Sequence, residues 1–406
     1  MIDLVRLAWL NTYRQKQRTA ITAGTIAICT MLLILLFALS QGFVTHSIEN
    51  FTASYTGKLQ AHGEEFRDTF DFYTPVENVE ELKQAAKDIG LSAAPRSFGF
   101  GLVAAGNKSA GGMFIGVDPI AERQGFRMPG HMQAGEFVSD SAQGQAMIGS
   151  LLAVNLEVEP GDELIALVQA ADGSMGNMLY RVSGIFAPVG DEFDRSTIML
   201  HQQDFDDLFY SHGLIHQVAF NGPADTDLLA AKQALQKVAP KTEIMTWQEL
   251  YVTLALMSEM MTSYMLVFAF IFGIGAAIGV LNTLLMASYE RMHEYGIMKA
   301  IGTTAPRLFA GTMLEGLMIG LLGSIVGGLI SLPIVIWLQD TGLDISQWMD
   351  TMNVMGVNFD PIWRADLTLE PFLMVPAVML FLSLLAAVYP ALLVSRLNPT
   401  EAMREH

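Results

Sequence analysis

Two histidines, His212 and His216, have the spacing of metal ligands on one face of a helix. The segment around them, however, has the pattern of a loop that enters a strand, and no glutamate follows His212 as in a zinc-protease helix. Four methionines around residue 260 could offer thioethers to Cu(I). Flexible methionine side chains more often fill irregular apolar surfaces. We therefore expect no metal site and no cofactor site in this chain.

Glycine-rich segments are the second candidate for chemistry. The sequence contains no Gly-x4-Gly-Lys-Ser/Thr phosphate loop, so it is not expected to bind ATP by that device or to be an enzyme. Its Gly-x3-Gly pairs lie instead in apolar stretches, where such pairs favour close packing of helices within one chain or between two. The residues predicted to pack in this way are Gly275, Gly279, Asn282, Gly316 and Gly320.

One acidic residue, Glu315, also lies in an apolar stretch. An ionisable residue inside a membrane span is by default a functional hypothesis. Glu315 lies near the cytoplasmic end of its stretch, and no other ionisable residue occurs deep in such a segment. A structural, hydrogen-bonded role therefore competes with proton coupling.

Long apolar stretches decide the class of protein. Of 406 residues, 51% are hydrophobic and 16% are charged, against about 25% charged in soluble proteins. Four stretches exceed the ~20 residues that a helix needs to cross the hydrocarbon core. We predict transmembrane helices at residues 19–44, 261–288, 308–339 and 371–395. This organisation excludes a soluble enzyme and a nucleic-acid-binding domain.

The net charge of −18 divides by side of the membrane. There are 9 Lys/Arg and 5 Asp/Glu in residues 1–18, 289–307 and 396–406 together. Residues 45–260 and 340–370 together contain 14 Lys/Arg and 35 Asp/Glu. Basic residues close to the spans mark the cytoplasmic side. Both termini and the loop 289–307 are therefore predicted to be cytoplasmic, with residues 1–18 as an amphipathic helix on the membrane surface and 396–406 as a short tail.

Residues 45–260 have the composition of a folded extracytoplasmic domain. Helical patterns at 75–90 and 224–240 are each flanked by extended runs, which predicts two βαβ halves at the two ends of the domain. Between them, Gly106-Asn107 and Asp172-Gly173 predict hairpins, and residues 146–156 a short helix. The fold class is thus an α-helical membrane protein with four transmembrane helices and a large α+β extracytoplasmic domain that carries a β-rich insertion.

A helical stalk is predicted to connect the domain to the membrane. From Trp247 to Tyr289 the sequence keeps helical spacing without glycine or proline before the second span. Such a helix would be ~65 Å long, and only ~30 Å of it would lie in lipid. Residues 45–55 could extend the first span in the same way, and a break at Ser258 or Ser263 is the alternative. The loop 340–370 between the last two spans is predicted to be irregular.

Three segments resemble the MacB/FtsX-like permease family of ABC transporters. They are residues 282–302, the C-terminal run 389–404 and the N-terminal run 4–22. The plan of four spans with a large domain after the first matches over nearly the whole chain. Residues 116–119 and 182–194 are similar, more narrowly, to lipoprotein-releasing permeases.

The resemblance implies a permease subunit of the bacterial inner membrane that is driven by a cytoplasmic ABC ATPase dimer, which would bind the ATP and Mg²⁺. It further implies a second permease, as homodimer or heterodimer, a periplasmic carrier or adaptor, and no nucleic acid. The loop after the second span would be the helix that couples to the ATPase. By resemblance, the coupling residues are Glu290, Arg291, Glu294, Gly296, Met298, Lys299 and Gly302.

The resemblance favours a mechanotransmitting permease that extracts lipoproteins or similar amphiphilic cargo from the outer leaflet. Two alternatives stay open. One is a macrolide- or peptide-exporter type that works with a periplasmic adaptor, and the other is a non-transporting regulator of cell-wall hydrolases.

Overall fold

The computed structural model describes residues 14, 16–344, 352–354, 357–359 and 362–398, which form two compact units. The described residues up to 45, 257–344 and 362–398 form the membrane unit, and those from 46 to 256, with the described part of 346–361, form the extracytoplasmic unit. Most of the predicted surface helix 1–18 lies outside the described residues. So do Pro399, Ala402 and Arg404 of the C-terminal signature.

The first long helix, α1 (Lys16–Phe51), contains no charged residue between positions 20 and 44. It continues past the apolar stretch and ends in a π-helical turn at Thr52–Thr56. At Gly57 the backbone adopts a φ of 79°, in the region that favours glycine. The chain thereby leaves the helix and enters the first strand.

The extracytoplasmic unit is built on one ten-stranded sheet. Its first elements are β1 (Leu59–His62), α2 (Phe66–Thr69), α3 (Val79–Asp88) and β2 (Ser92–Ala105). The insertion follows as β3 (Lys108–Val117), α4 (Pro119–Gly125), β4 (Met132–Gly135), β5 (Gln145–Ile148), α5 (Ser150–Leu156), β6 (Glu163–Gln169), β7 (Met175–Phe186), α6 (Asp191–Ser196), β8 (Thr197–His201) and α7 (Gln202–Phe209). The last elements are β9 (Gln217–Asn221), α8 (Leu228–Val238), β10 (Glu243–Thr246) and α9 (Trp247–Leu250).

The two predicted βαβ halves, β1-α3-β2 and β9-α8-β10, are present, but their strands interleave in one sheet. The order is β10-β1-β9-β2 with every neighbouring pair antiparallel, which is the ferredoxin-like split βαβ arrangement. Helices α3 and α8 cover the sheet with the fully buried Leu82 and Leu235, which pack in one cluster with Phe220 of β9. The two ends of the domain's sequence therefore build a single module.

The insertion continues the same sheet. β3 pairs with β2 along the predicted Gly106-Asn107 hairpin, β8 lies parallel to β3, and β6 and β7 form the hairpin predicted at Asp172-Gly173. The prediction of a helix over 146–156 is wrong in its first part. Residues Gln145–Ile148 form β5, because this buried apolar run pairs with both β7 and β8, and α5 begins only at Ser150.

The remaining helices belong mainly to the membrane unit. They are α10 (Val252–Glu290), α11 (Met292–Ala300), α12 (Ala305–Thr341) and α13 (Leu369–Ser395). α1, α10, α12 and α13 are the four described helices that are long and apolar enough to cross a membrane. The loop before α13 is less irregular than predicted, since Leu343–Asp344 pairs with Ile362–Trp363, and Met352–Val354 with Val357–Phe359.

The predicted continuous helix from Trp247 is interrupted at Tyr251, and not at Ser258 or Ser263. A capping box between Thr246 and Glu249 starts the short helix α9 directly after β10. At Tyr251 the backbone leaves helical geometry, with φ −122° and ψ 63°, and α10 then begins at Val252. The stalk is therefore a one-turn helix, a tyrosine joint and a 39-residue helix.

Candidate functional site

The predicted coupling loop forms α11, which lies between α10 and α12. Tyr295 is buried in a small cluster with Leu308 of α12 and Val394 of α13, and Met298 packs against the same cluster. Gly296 is also buried. One face of α11 is therefore fixed against the ends of two membrane helices.

Arg291 is turned into the protein at the start of α11. Its guanidinium donates from Nη1 to Glu315 Oε1 at 3.1 Å and from Nε to Glu294 Oε2 at 3.2 Å. It also lies 5.1 Å from the centre of the Tyr295 ring. The side chains of Arg291 and Glu315 are only 12% and 9% exposed. The acid in the third span is thus one half of a buried ion pair that holds α11 against α12.

The two glutamates of the loop also bind within the chain. Glu294 accepts from Arg14 at 3.1 Å, and Glu290 pairs with Arg18 at 2.6 Å. Burial would raise the pKa of Glu294, but the hydrogen bonds and charges of Arg291 and Arg14 outweigh it and hold that pKa below its usual value. Glu294 is therefore ionised at neutral pH, as its role between two arginines requires.

Lys299 ties α11 to the end of the last membrane helix. Its Nζ donates to the backbone oxygens of Ser395 at 2.9 Å and Leu397 at 2.6 Å. A cation at the C-terminus of a helix is favourable because the free carbonyls there carry partial negative charge. At Gly302 the φ of 101° ends the segment in a conformation that other residues adopt only with strain.

Two isoleucines dominate the exposed side of α11. Ile297 and Ile301 are 44% and 78% exposed, and they lie one helical turn apart. His293 and Ala300 lie on the same exposed side. We name these four residues the outer face of α11. The sequence-predicted residues Arg291, Gly296, Met298 and Lys299 lie mainly on the opposite, inner side.

The predicted packing glycines separate into two groups. An added Cβ at Gly316 would lie 2.6 Å from Ala387 Cβ, and one at Gly320 3.0 Å from Ser383 Cβ, so this pair packs against α13. Gly323 and Gly327 form the next Gly-x3-Gly pair of α12. A Cβ added at Gly327 would lie 2.5 Å from the backbone oxygen of Ala27 in α1. By contrast, a Cβ added at Gly275 or Gly279 would meet no atom of another element within 4 Å in the described part of the chain.

We expect Gly327→Leu to destabilise the membrane unit by about 3 kcal/mol, since overpacking a close helix contact costs about 1–3 kcal/mol and backbone atoms of α1 would have to move. Gly328→Leu is the matched control, because Gly328 lies on the same helix and its new side chain would enter open space. Thermal unfolding of both variants in detergent, followed by circular dichroism, measures the difference. Equal losses in the two variants would show that the α1–α12 contact is not tight.

A cavity of about 800 Å³ lies within the extracytoplasmic unit. Its lining comes from the ferredoxin-like module on one side and from the insertion on the other. Phe51, the last residue of α1, and Tyr251, the joint before α10, are both in its wall, and their rings meet edge to face at 4.8 Å. The ends of the two helices that flank the domain therefore form part of one binding-sized space.

His216 is used structurally. Its Nδ1 accepts from the backbone N–H of Phe98, and its Nε2 donates to the backbone oxygen of Phe72 at 2.8 Å. Burial lowers the pKa of His216, so the ring is neutral in this role. His212 lies at a left-handed position with φ 53°. No group of three or more potential metal ligands occurs among the residues that the structure describes.

Comparison with protein families decides the class. Residues 19–238 match the MacB-like periplasmic core domain, and residues 266–399 match the FtsX-like permease C-terminal domain. The first match alone covers more than half of the chain. The chain belongs to the MacB/FtsX-type family of ABC transporter permeases.

The permease has relatives of several named kinds. It is 24% identical over 299 residues to an uncharacterized ABC transporter permease of Methanocaldococcus jannaschii, covering 70% of this chain and 69% of the relative. It is 22% identical over 273 residues to the lipoprotein-releasing system transmembrane protein LolC of Xylella fastidiosa, covering 64% of each chain. It is 28% identical over 156 residues to the macrolide export ATP-binding/permease protein MacB of Syntrophobacter fumaroxidans, covering 38% of this chain and 19% of that one.

The sequence indicates two features of the permease only in part. Ile297, Met298 and Ile301 predict a short amphipathic helix that lies on the membrane surface or docks into a partner's groove. The pattern does not show that Met298 turns inward while Ile297 and Ile301 stay exposed. The only signal for the cavity in the sequence is the local abundance of phenylalanine, at positions such as 66, 70, 98 and 100. Neither pattern shows which side chains remain exposed after folding.

Proposed function

We propose that this permease moves amphiphilic cargo, lipoproteins first among them, out of the outer leaflet of the inner membrane by mechanotransmission. The observation that carries the proposal is the pair of long helices that end at one cavity. α1 and α10 have 36 and 39 residues, or roughly 54 and 58 Å at 1.5 Å per residue, whereas the hydrocarbon core needs only ~30 Å. A shift of either helix would therefore displace Phe51 or Tyr251 in the cavity wall.

Energy would come from a separate cytoplasmic ATPase that docks on the outer face of α11. An exposed apolar stripe on a short helix is suited to a groove on a partner protein. The inner side of α11 would then pass the motion on through contacts that are already made. These are the Arg291–Glu315 ion pair and the bonds from Lys299 to the end of α13.

A second permease would pack on the face of α10 that carries Gly275, Gly279 and Asn282. The two glycines lie one turn apart, and a Cβ added at either would meet no side chain or neighbouring element within 4 Å in the described residues. Asn282, one further turn along, is exposed. Small residues allow helices to approach closely, and an amide in a membrane span favours a hydrogen-bonding partner. This supports pairing between two permeases, with both termini cytoplasmic.

Depletion of the permease in its host tests whether lipoproteins are its cargo. We expect lipoproteins that belong in the outer membrane to accumulate in the inner membrane, since their extraction would stop. Membranes would be separated by density, lipoproteins followed by immunoblot, and an outer-membrane barrel protein used as the sorting control. Normal lipoprotein sorting in depleted cells would overturn the lipoprotein proposal but leave the family membership intact.

The macrolide-export relative favours a second candidate, a permease that exports a small amphiphile through a periplasmic adaptor. Depleted cells would then show increased sensitivity to such amphiphiles and unchanged lipoprotein sorting. Purification of the tagged permease would recover an adaptor protein. Recovery of a cell-wall hydrolase in its place would instead support the regulatory alternative.

A further inference from the structure

The cavity of the extracytoplasmic unit has the size of a ligand site. Its volume of about 800 Å³ falls in the range of roughly 300–1,000 Å³ that encloses small ligands. Ring side chains form much of its lining, among them the buried Phe66 and Phe98 and the half-buried Phe193 of α6. Such a lining removes the apolar body of a ligand from water, which stabilises the complex in proportion to the apolar area that is buried.

The mouth of the cavity is aromatic and open. Phe70 and Phe100 both line it, are 47% and 52% exposed, and contact each other edge to face at a ring distance of 5.6 Å. Leu102, two residues after Phe100 in β2 and therefore on the same face of the sheet, is 54% exposed. The apolar surface thus continues out of the cavity, and contiguous exposed apolar patches mark binding sites.

The lining carries one cation and one anion among the described residues, Arg67 of α2 and Glu192 of α6. His62 also lines the cavity but adds no charge, because burial, assisted by the charge of Arg67, lowers its pKa to about 3. Arg67 is half-buried, whereas Glu192 is exposed. Since water screens an exposed charge more strongly, Arg67 has the larger effect on the charge of a ligand.

The guanidinium of Arg67 has no acidic partner within the described chain, where it forms neither a hydrogen bond nor an ion pair. Its carbon lies 6.0 Å from the ring centre of Tyr251, at the outer limit of a cation–π contact. Acids are not scarce, because residues 45–260 and 340–370 contain 35 Asp/Glu and only 14 Lys/Arg. The charge of Arg67 in the cavity wall is therefore available to an anion.

We infer that the cavity binds an anionic amphiphile, whose apolar body lies among the aromatic side chains and whose carboxylate, sulfate or phosphate group pairs with Arg67. The inference rests on the proposed function, because it names a charge class for the amphiphilic cargo. A neutral amphiphile would leave Arg67 without a partner, and a cationic one would bring two like charges together. The anionic group would lie beside Tyr251, the joint before α10.

Three probes with one alkyl chain test the charge preference. Decyl sulfate is anionic, decan-1-ol is neutral and decyltrimethylammonium is cationic. Binding of each radiolabelled probe would be measured by equilibrium dialysis on the full-length permease in phosphatidylcholine nanodiscs, with empty nanodiscs giving the lipid background. We expect decyl sulfate to bind about tenfold more tightly than decan-1-ol, the effect of one hydrogen bond to a charged group. Decyltrimethylammonium should bind most weakly.

Substitutions of the two lining charges test the role of Arg67. Arg67→Gln should lower the affinity for decyl sulfate about tenfold, to that for decan-1-ol, and leave decan-1-ol binding unchanged. Arg67→Lys keeps the charge and should keep most of the preference. Glu192→Gln is the matched control, because it removes the other lining charge and should not weaken decyl sulfate binding.

Glycine substitutions test the location. Gly111 lines the cavity, and an added Cβ there meets no atom within 4 Å, so Gly111→Trp should fill the space without disturbing β3. Gly130 has equally open surroundings but does not line the cavity, which makes Gly130→Trp the control. Decyl sulfate binding should fall about tenfold in the first variant and stay unchanged in the second.

Equal decyl sulfate binding by wild type and Gly111→Trp would overturn the site. Equal affinity of wild type for the three probes, or an unchanged preference in Arg67→Gln, would overturn the role of Arg67, and tighter binding of the cationic probe would overturn the charge class. Any of these results combined with lipoproteins trapped after depletion would leave the proposed function standing. Anion-selective binding with normal lipoprotein sorting would keep the site and reject the lipoprotein cargo.

Discussion

Arg291→Met should lower the free energy of unfolding of the membrane unit by about 3 kcal/mol, because removal of one partner from a buried ion pair leaves the other charge without compensation. In the native structure Arg291 joins Glu315 of α12 at 3.1 Å and is also bonded to Glu294. Its loss would deprive Glu315 of a cation and release the start of α11. Unfolding in mixed detergent micelles, followed by circular dichroism, measures the change.

The double variant Arg291→Met with Glu315→Met decides whether the effect belongs to the pair. It should recover stability to within about 1 kcal/mol of the wild type, since apolar replacements of a whole buried pair are often neutral. Glu315→Met alone should cost less than Arg291→Met alone, because Arg291 would retain Glu294. Additive losses in the double variant would show that the two residues do not act as a pair.

The membrane spans and the main elements of the outer domain were predictable because their signals are local. A helix that crosses lipid needs about 20 apolar residues in a row, and a Gly-Asn turn between alternating runs is enough to indicate the β2–β3 hairpin. The interleaved order β10-β1-β9-β2 was not predictable, since it depends on pairing between strands about 160 residues apart, such as Leu59 with Phe220. The sequence predicts helix from residue 146, where the structure has the strand Gln145–Ile148, because a short buried apolar run fits both structures.

The orientation of the coupling loop was not predictable for the same reason. Arg291 and Lys299 are predicted to be coupling residues by resemblance, and the sequence does not show which way their side chains turn. In the structure both turn inward, to Glu315 and to the carbonyls of Ser395 and Leu397. No local pattern indicates partners that lie 24 to 98 residues away. Similarly, the break falls at Tyr251, whose ring contacts Phe51, 200 residues away in the chain.

Ile297→Asp should abolish coupling to the ATPase while the permease stays folded in the membrane. Ile297 is 44% exposed on the outer face of α11, so an aspartate there costs little in the free permease. In a complex, the carboxylate would have to enter an apolar groove, and central apolar contacts of an interface contribute about 2–4 kcal/mol each. Affinity for the ATPase should therefore fall about 100-fold. Co-purification of the two proteins and their affinity by biolayer interferometry measure this.

Variants of the two sides of α11 show which side binds the ATPase and which only holds α11 in place. Ile301→Asp should behave like Ile297→Asp, since Ile301 is 78% exposed on the same face, and Ile297→Leu should bind normally. The double variant Arg291→Met with Glu315→Met should also keep the ATPase, because it alters only the inner side of α11. If the inner-side double variant lost the ATPase and Ile297→Asp kept it, the charged residues would be the contact surface and the apolar outer face would not. The opposite pattern would assign ATPase docking to the outer face and leave the ion pair to hold α11 against α12.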